Sequence, residues 1–128
     1  MYLWLMVTAA AKLLIKPGVS LWLSDPSRAS LIAPLPVEVP RAEGMASAGV
    51  AILFADSAAE LRAFADAHRS ELGSPPVLWI VYRKGNKADV NRDSLWKLLA
   101  DYGIRPVTQI AVDQEWSALR FRPLKPGE

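Results

Sequence analysis

The sequence contains no cysteine and only one histidine in 128 residues. Disulfides, thiolate metal centres and cysteine nucleophiles are therefore excluded, as is any metal site built from several histidines. The cysteine count fits a reducing cytoplasm, which is where the chain is expected to work. Long apolar runs are also missing, and no stretch approaches the ~20 residues needed to span a bilayer. Met1–Val7 is apolar and aromatic, and Ala9-Ala10-Ala11 resembles a signal-peptidase site. A secretory signal also needs a basic start and a longer apolar stretch, and neither is there. Residues 1–8 are read as an N-terminal arm, 9–123 as a single α/β domain, and 124–128 as a loose tail.

No sign of charge predominates. The net charge is +2, with 52% apolar and 22% charged residues, the balance of an ordinary globular protein. Residues 1–82 hold six Lys/Arg against seven Asp/Glu, and residues 83–128 hold nine against six. That tilt is far weaker than the basic stripe of a dedicated nucleic-acid binder. Nucleic acid is thus an unfavoured partner, and a membrane is not expected.

What is present is two short, unalternating apolar runs, Val50–Ala55 and Val77–Tyr82. Each is too short for a self-sufficient helix, and Val77–Tyr82 is rich in β-branched and aromatic residues. Neither shows polar alternation, as expected of strands buried on both faces. Ser57 and Glu60 form a capping box in front of a helix with Leu61, Phe64, Ala65, His68 and Leu72 on one face. Gly73 is expected at its C′ position, with Pro75 barring continuation. A second helix, capped by Asp89 or Asn91, runs to about Tyr102 on a face of Leu95, Leu98, Leu99 and Tyr102.

The remaining elements are weaker. Ala9–Ile15 predicts a short helix stopped at Pro17-Gly18. Val19–Leu23 is a first strand, and Ser27–Ala33 has room for one or two helical turns. Val37–Val39, bracketed by Pro34, Pro36 and Pro40, is predicted as an edge strand. Val107–Val112 and Trp116–Arg122 follow, joined so tightly that they must be antiparallel. The fold class is α/β: a small Rossmann-like, mostly parallel sheet with a C-terminal antiparallel hairpin. Its layout resembles a trimmed S-adenosylmethionine methyltransferase fold.

Lys87–Asp93 and Ile110–Phe121, closing on Asp113-x-x-Trp116-Ser117-x-Leu119-Arg120, resemble a bacterial family of short proteins, the domain of unknown function 3052 family. Lys16-Pro17-Gly18 matches its segment before the first strand, and the resemblance spans about residues 9 to 123. It implies a fold and brings no activity with it.

Ligands of such sheets bind beyond the carboxyl ends of the strands. A dinucleotide or S-adenosylmethionine site there needs glycines in the first strand-to-helix turn, where backbone N–H groups must close on the ligand. The turn here, Leu23–Ala29, has none, and Pro26 removes a donor. No cofactor is therefore expected. The candidate binding residues are Arg83, Lys84, Asn86 and Lys87, with Asp25. Three cations and a flexible glycine at the sheet's carboxyl edge could hold a phosphate, a carboxylate or an acidic protein partner. Asp25, Asp56 and Asp113 each follow a strand, where turn or cap roles account for them without catalysis. Ser117 has neither a nucleophile elbow nor a histidine base, so hydrolysis is unsupported. The leading expectation is a non-catalytic module binding a protein partner or small anionic ligand. A degenerate S-adenosylmethionine- or nucleotide-dependent transferase is the alternative, and a nucleic-acid accessory protein a weaker one.

Overall fold

The computed structural model describes residues 8–85 and 90–127. Five strands form one mixed sheet: β1 (Leu21–Leu23), β2 (Val50–Ala55), β3 (Val77–Arg83), β4 (Ile104–Ala111) and β5 (Trp116–Pro123). Their spatial order is β1-β2-β3-β5-β4. β1, β2 and β3 are parallel, whereas β5 runs antiparallel to both β3 and β4. The fold is Rossmann-like α/β with the antiparallel hairpin at one side.

Every residue of β2 is buried. Both sheet faces are covered, which is why the run carries no polar alternation. One face collects Ala51, Leu53, Leu78, Ile80, Leu119 and Phe121 beneath α2 (Ala58–Ala67) and α3 (Arg92–Ala100), through Leu61, Ala65, Leu95 and Leu99. The other collects Val50, Ile52, Trp79, Val81 and Ala118 against α1 (Ala9–Lys12) and a 3-10 helix, Pro26–Ile32. The Trp79 indole N–H donates to the Leu13 carbonyl at 2.9 Å. That bond satisfies the polar end of a ring only 1% exposed and ties α1 to the sheet.

Several boundaries differ from expectation. Val37–Val39 is not a strand: Glu38 has φ +61°, outside the extended region, and Val37 is exposed. The chain instead reaches the sheet at Arg41, in a single parallel bridge to Leu21. α2 ends at Ala67 with His68 as its C-cap, so Gly73 lies beyond it and not at C′. Ser57 Oγ accepts from the Glu60 backbone N–H at 3.1 Å, the forward half of the predicted box. Asn91 caps α3, and its side chain and that of Ser94 satisfy each other's backbone N–H. Asp89, the other candidate cap, lies outside the described residues, as does the predicted arm up to Val7. β4 starts three residues before the expected Val107 and passes through Pro106, tolerated because this is an edge strand.

The bridge at Arg41 shows where the crossovers change face. It sits on the side of β1 away from β2, held by Leu21 N–H donating to Pro40 O and Ala42 N–H to Leu21 O, each at 2.9 Å. From β1 the chain crosses to Arg41 over the face holding Ile32, and returns to β2 over the face holding Met45 and Ala48. Crossovers on opposite faces therefore meet at β1 and β2, a topological switch point. Ser24, Asp25 and Asp56 follow the carboxyl ends of those two strands.

Candidate functional site

Ser24 extends β1 with its side chain. Its N–H donates to Ile52 O at 2.9 Å, and its Oγ accepts from Phe54 N–H at 3.0 Å. Asp25 then caps the 3-10 helix: Oδ1 accepts from the Ser27 N–H at 3.1 Å and the Ser27 hydroxyl at 2.6 Å. The Ser27 hydroxyl bond is the main reason the Asp25 carboxyl sits below its ordinary pKa.

One turn later Arg28 spans the switch point. Its Nη1 donates to Asp56 Oδ1 at 3.0 Å, its Nη2 bonds Asp56 Oδ2, and its Nε lies 3.4 Å from Asp25 Oδ2. The fork on Asp56 is bidentate, and it raises the guanidinium's pKa further. Asp56 therefore acts as the second jaw of a clamp on Arg28, while Ser57 does the helix capping.

This clamp occupies the place where a bound phosphate or cofactor tail would need open backbone. Pro26 offers no N–H, the Ser27 N–H is taken by Asp25, and the carboxylate itself would repel an anion. The helix behind is a seven-residue 3-10 turn, too short to focus a useful dipole. Beside the clamp is a cavity of about 320 Å³ bounded by Ser24, Asp25, Phe54, Glu60 and Phe64. Glu60 also lies close enough to act on Arg28, so three carboxylates surround one guanidinium. The concave part of the carboxyl edge is acidic.

The basic residues lie across Trp116 from it. Arg83 pairs with Glu115 at 3.0 Å, and its guanidinium carbon is 4.7 Å from the Trp116 ring centroid; that of Arg28 is 5.5 Å away. Lys84 Nζ donates to Asp113 O at 2.6 Å. Asp113 is a turn residue, as expected, with Oδ1 accepting from the N–H groups of Glu115 and Trp116 at 2.7 and 2.8 Å. The structure thus brings Arg83 and Lys84 together with the β4–β5 turn. It places Asp25 separately, in the clamp. Asn86 and Lys87 lie outside the described residues. Among the described residues no group of three or more His, Asp or Glu could hold a metal ion, and no helix is long and apolar enough to cross a membrane.

Two side chains escape a reading of the sequence. Arg28 had a signal in Asp25-x-x-Arg28, a spacing that puts both groups on one side of a turn. Trp96 is 45% exposed, whereas Trp79 and Trp116 are buried as expected. It falls off the apolar stripe of α3, a position that the helical periodicity alone specifies.

No protein-family model and no curated protein matches the chain. Solved structures do match. A protein of the NADB-Rossmann superfamily from Streptococcus agalactiae aligns with a TM-score of 0.56 at 11% identity, covering 91% of this chain and 68% of that one. The ribosomal protein L11 methylase of Lactobacillus delbrueckii subsp. bulgaricus aligns with a TM-score of 0.54 at 8% identity, covering 91% and 75%. At such identities the likeness concerns the fold alone.

Proposed function

We propose that this chain is a non-catalytic, cytoplasmic Rossmann-like module that engages a protein partner or small anionic ligand along the carboxyl edge of its sheet. The observation that supports this reading is the Arg28 clamp. Its guanidinium fills the switch point, and its two carboxylate jaws would repel a phosphate. The binding surface is then the neighbouring strip of Arg83 and Lys84, with Asn86 and Lys87 proposed as further contacts from their place in the sequence alone. Both described cations are held by exposed partners, Glu115 and the Asp113 carbonyl. Such surface pairs are worth little, so an incoming carboxylate or phosphate can exchange with them at small cost. A protein partner fits the strip better than a small anion does, because the concavity nearby is lined by Asp25 and Glu60. Membership of the domain of unknown function 3052 family belongs to the same proposal. Its closing motif is structural here, with Asp113 fixing the turn, Trp116 stacking beneath two arginines and Leu119 filling the core.

The alternative, a degenerate S-adenosylmethionine- or nucleotide-dependent transferase, draws on the fold shared with the L11 methylase. An acidic crevice also suits a cationic sulfonium better than it suits a nucleotide phosphate. A thermal-shift screen against S-adenosylmethionine, NAD, ATP, citrate and phosphate separates the readings. Stabilisation by citrate or phosphate that disappears in the Arg83→Gln/Lys84→Gln double variant is expected for a small-anion site. Indifference to all five leaves a protein partner. Stabilisation by S-adenosylmethionine would replace the proposal with the transferase. For a nucleic-acid accessory role, affinity for a mixed-sequence oligonucleotide must fall steeply with salt, and a flat response removes it.

A further inference from the structure

α3 and the edge strand β4 form a groove remote from the switch point. Arg92 and Trp96 stand four residues apart on α3 and therefore share a face. Both are exposed, in a helix whose large aliphatic side chains Leu95, Leu98 and Leu99 are buried. Opposite them, Arg105, Val107 and Gln109 of β4 help to line a hollow of about 240 Å³. A second hollow, of about 380 Å³, lies against Asp93, Trp96 and Lys97, so the indole forms a wall between two concavities.

The polar groups are arranged for a ligand. The Gln109 carboxamide donates to the Tyr82 hydroxyl at 2.8 Å, which holds the side chain in place against the hollow. Arg92 forms no ion pair with a described carboxylate. As the first residue of α3 it also stands at the helix end where a cation is least favoured. An anion held there would meet the guanidinium, while a planar ring lay on Trp96. Strand addition is a poorer explanation of the exposed surface. Pro106 lacks a donor, and the β4–β5 register slips between Pro106 and Thr108, two features that blunt an edge against another strand.

We infer that the α3–β4 groove binds a small planar anion, an aromatic ring bearing a carboxylate or phosphate, with Arg92 taking the charge and Trp96 the ring. This site is independent of the carboxyl-edge reading. The test is calorimetric titration of the full chain with 1-naphthoate and with adenosine 5′-monophosphate, alongside inorganic phosphate and adenosine. The Trp96 indole N–H resonance is followed in parallel by NMR. At least one of the two planar anions binds and shifts that resonance, and whichever binds more tightly identifies the head group. Arg92→Gln and Trp96→Ala each weaken binding by about tenfold or more, whereas Trp96→Phe keeps it within about threefold because stacking survives. Lys16→Gln, which removes a distant exposed cation, changes nothing. Failure of both planar anions to bind at millimolar concentration, binding equalled by phosphate or adenosine alone, or affinity unaffected by Arg92→Gln and Trp96→Ala would each overturn the inference.

Discussion

Arg28 decides whether the switch point is open. Its guanidinium is partly exposed, so its bidentate pair with Asp56 is discounted for solvent, and Arg28→Gln should cost about 1 kcal/mol. For a chain of this size that lowers Tm by about 3–6 °C, measurable by calorimetry. Asp25 supplies a pH signature. Its folded-state pKa is depressed, chiefly by the Ser27 hydroxyl, so its charge favours the folded state above the unfolded aspartate value. That contribution disappears as pH falls through the lower folded value. The Tm gap between the protein and Asp25→Asn should therefore be widest well above the unfolded aspartate value of about 3.9 and should narrow as pH falls below it. A gap that widened in acid would contradict the assignment. In the core, Trp79→Ala removes a ring that is 1% exposed and orphans the Leu13 carbonyl, at a cost of about 3–5 kcal/mol. A melting shift within error would refute its burial.

Among the elements, the buried strands and the two longer helices were legible because their signals are local. β2 and β3 declare themselves by apolar runs, α2 by Ser57, and α3 by its stripe of leucines. The outer edge was not legible. Nothing in residues 34–42 distinguishes a strand at Val37 from a bridge at Arg41, since that choice depends on which residue can reach Leu21 across space. The entry to β2 offers a test. A Cβ on Gly49 would come within 2.7 Å of Val19 Cγ1 and 3.4 Å of the Ser20 carbonyl. The Gly49 N–H also donates to Ser20 O and Oγ at 3.0 and 2.9 Å, which restrains any shift. Gly49→Ala should thus cost about 1–3 kcal/mol in chemical denaturation, where a solvent-facing glycine such as Gly44 should tolerate alanine. At the start of α3, Asn91→Ala should cost about 1 kcal/mol, because two backbone donors lose their acceptor.

For the whole molecule, the topology sets a crevice at the carboxyl ends of β1 and β2, and Arg28 with its carboxylates occupies one side of it, beside the acidic cavity of about 320 Å³. The glycine-free turn after β1 was legible as an obstacle to a phosphate or cofactor tail, although the Arg28 clamp emerged only once Asp25 and Asp56 were both found on its guanidinium. The cationic strip was legible as composition, but its pairing with Glu115 and the Asp113 carbonyl was not, because the β4–β5 turn is distant in the sequence and arrives by strand pairing. On the proposed reading, the clamp decides what can enter that crevice. Calorimetric titration of S-adenosylmethionine into the intact protein puts that claim to the most direct test. No saturable heat up to millimolar concentration is predicted. Stoichiometric binding in the micromolar range, lost when Asp25 is changed to Ala, would contradict it.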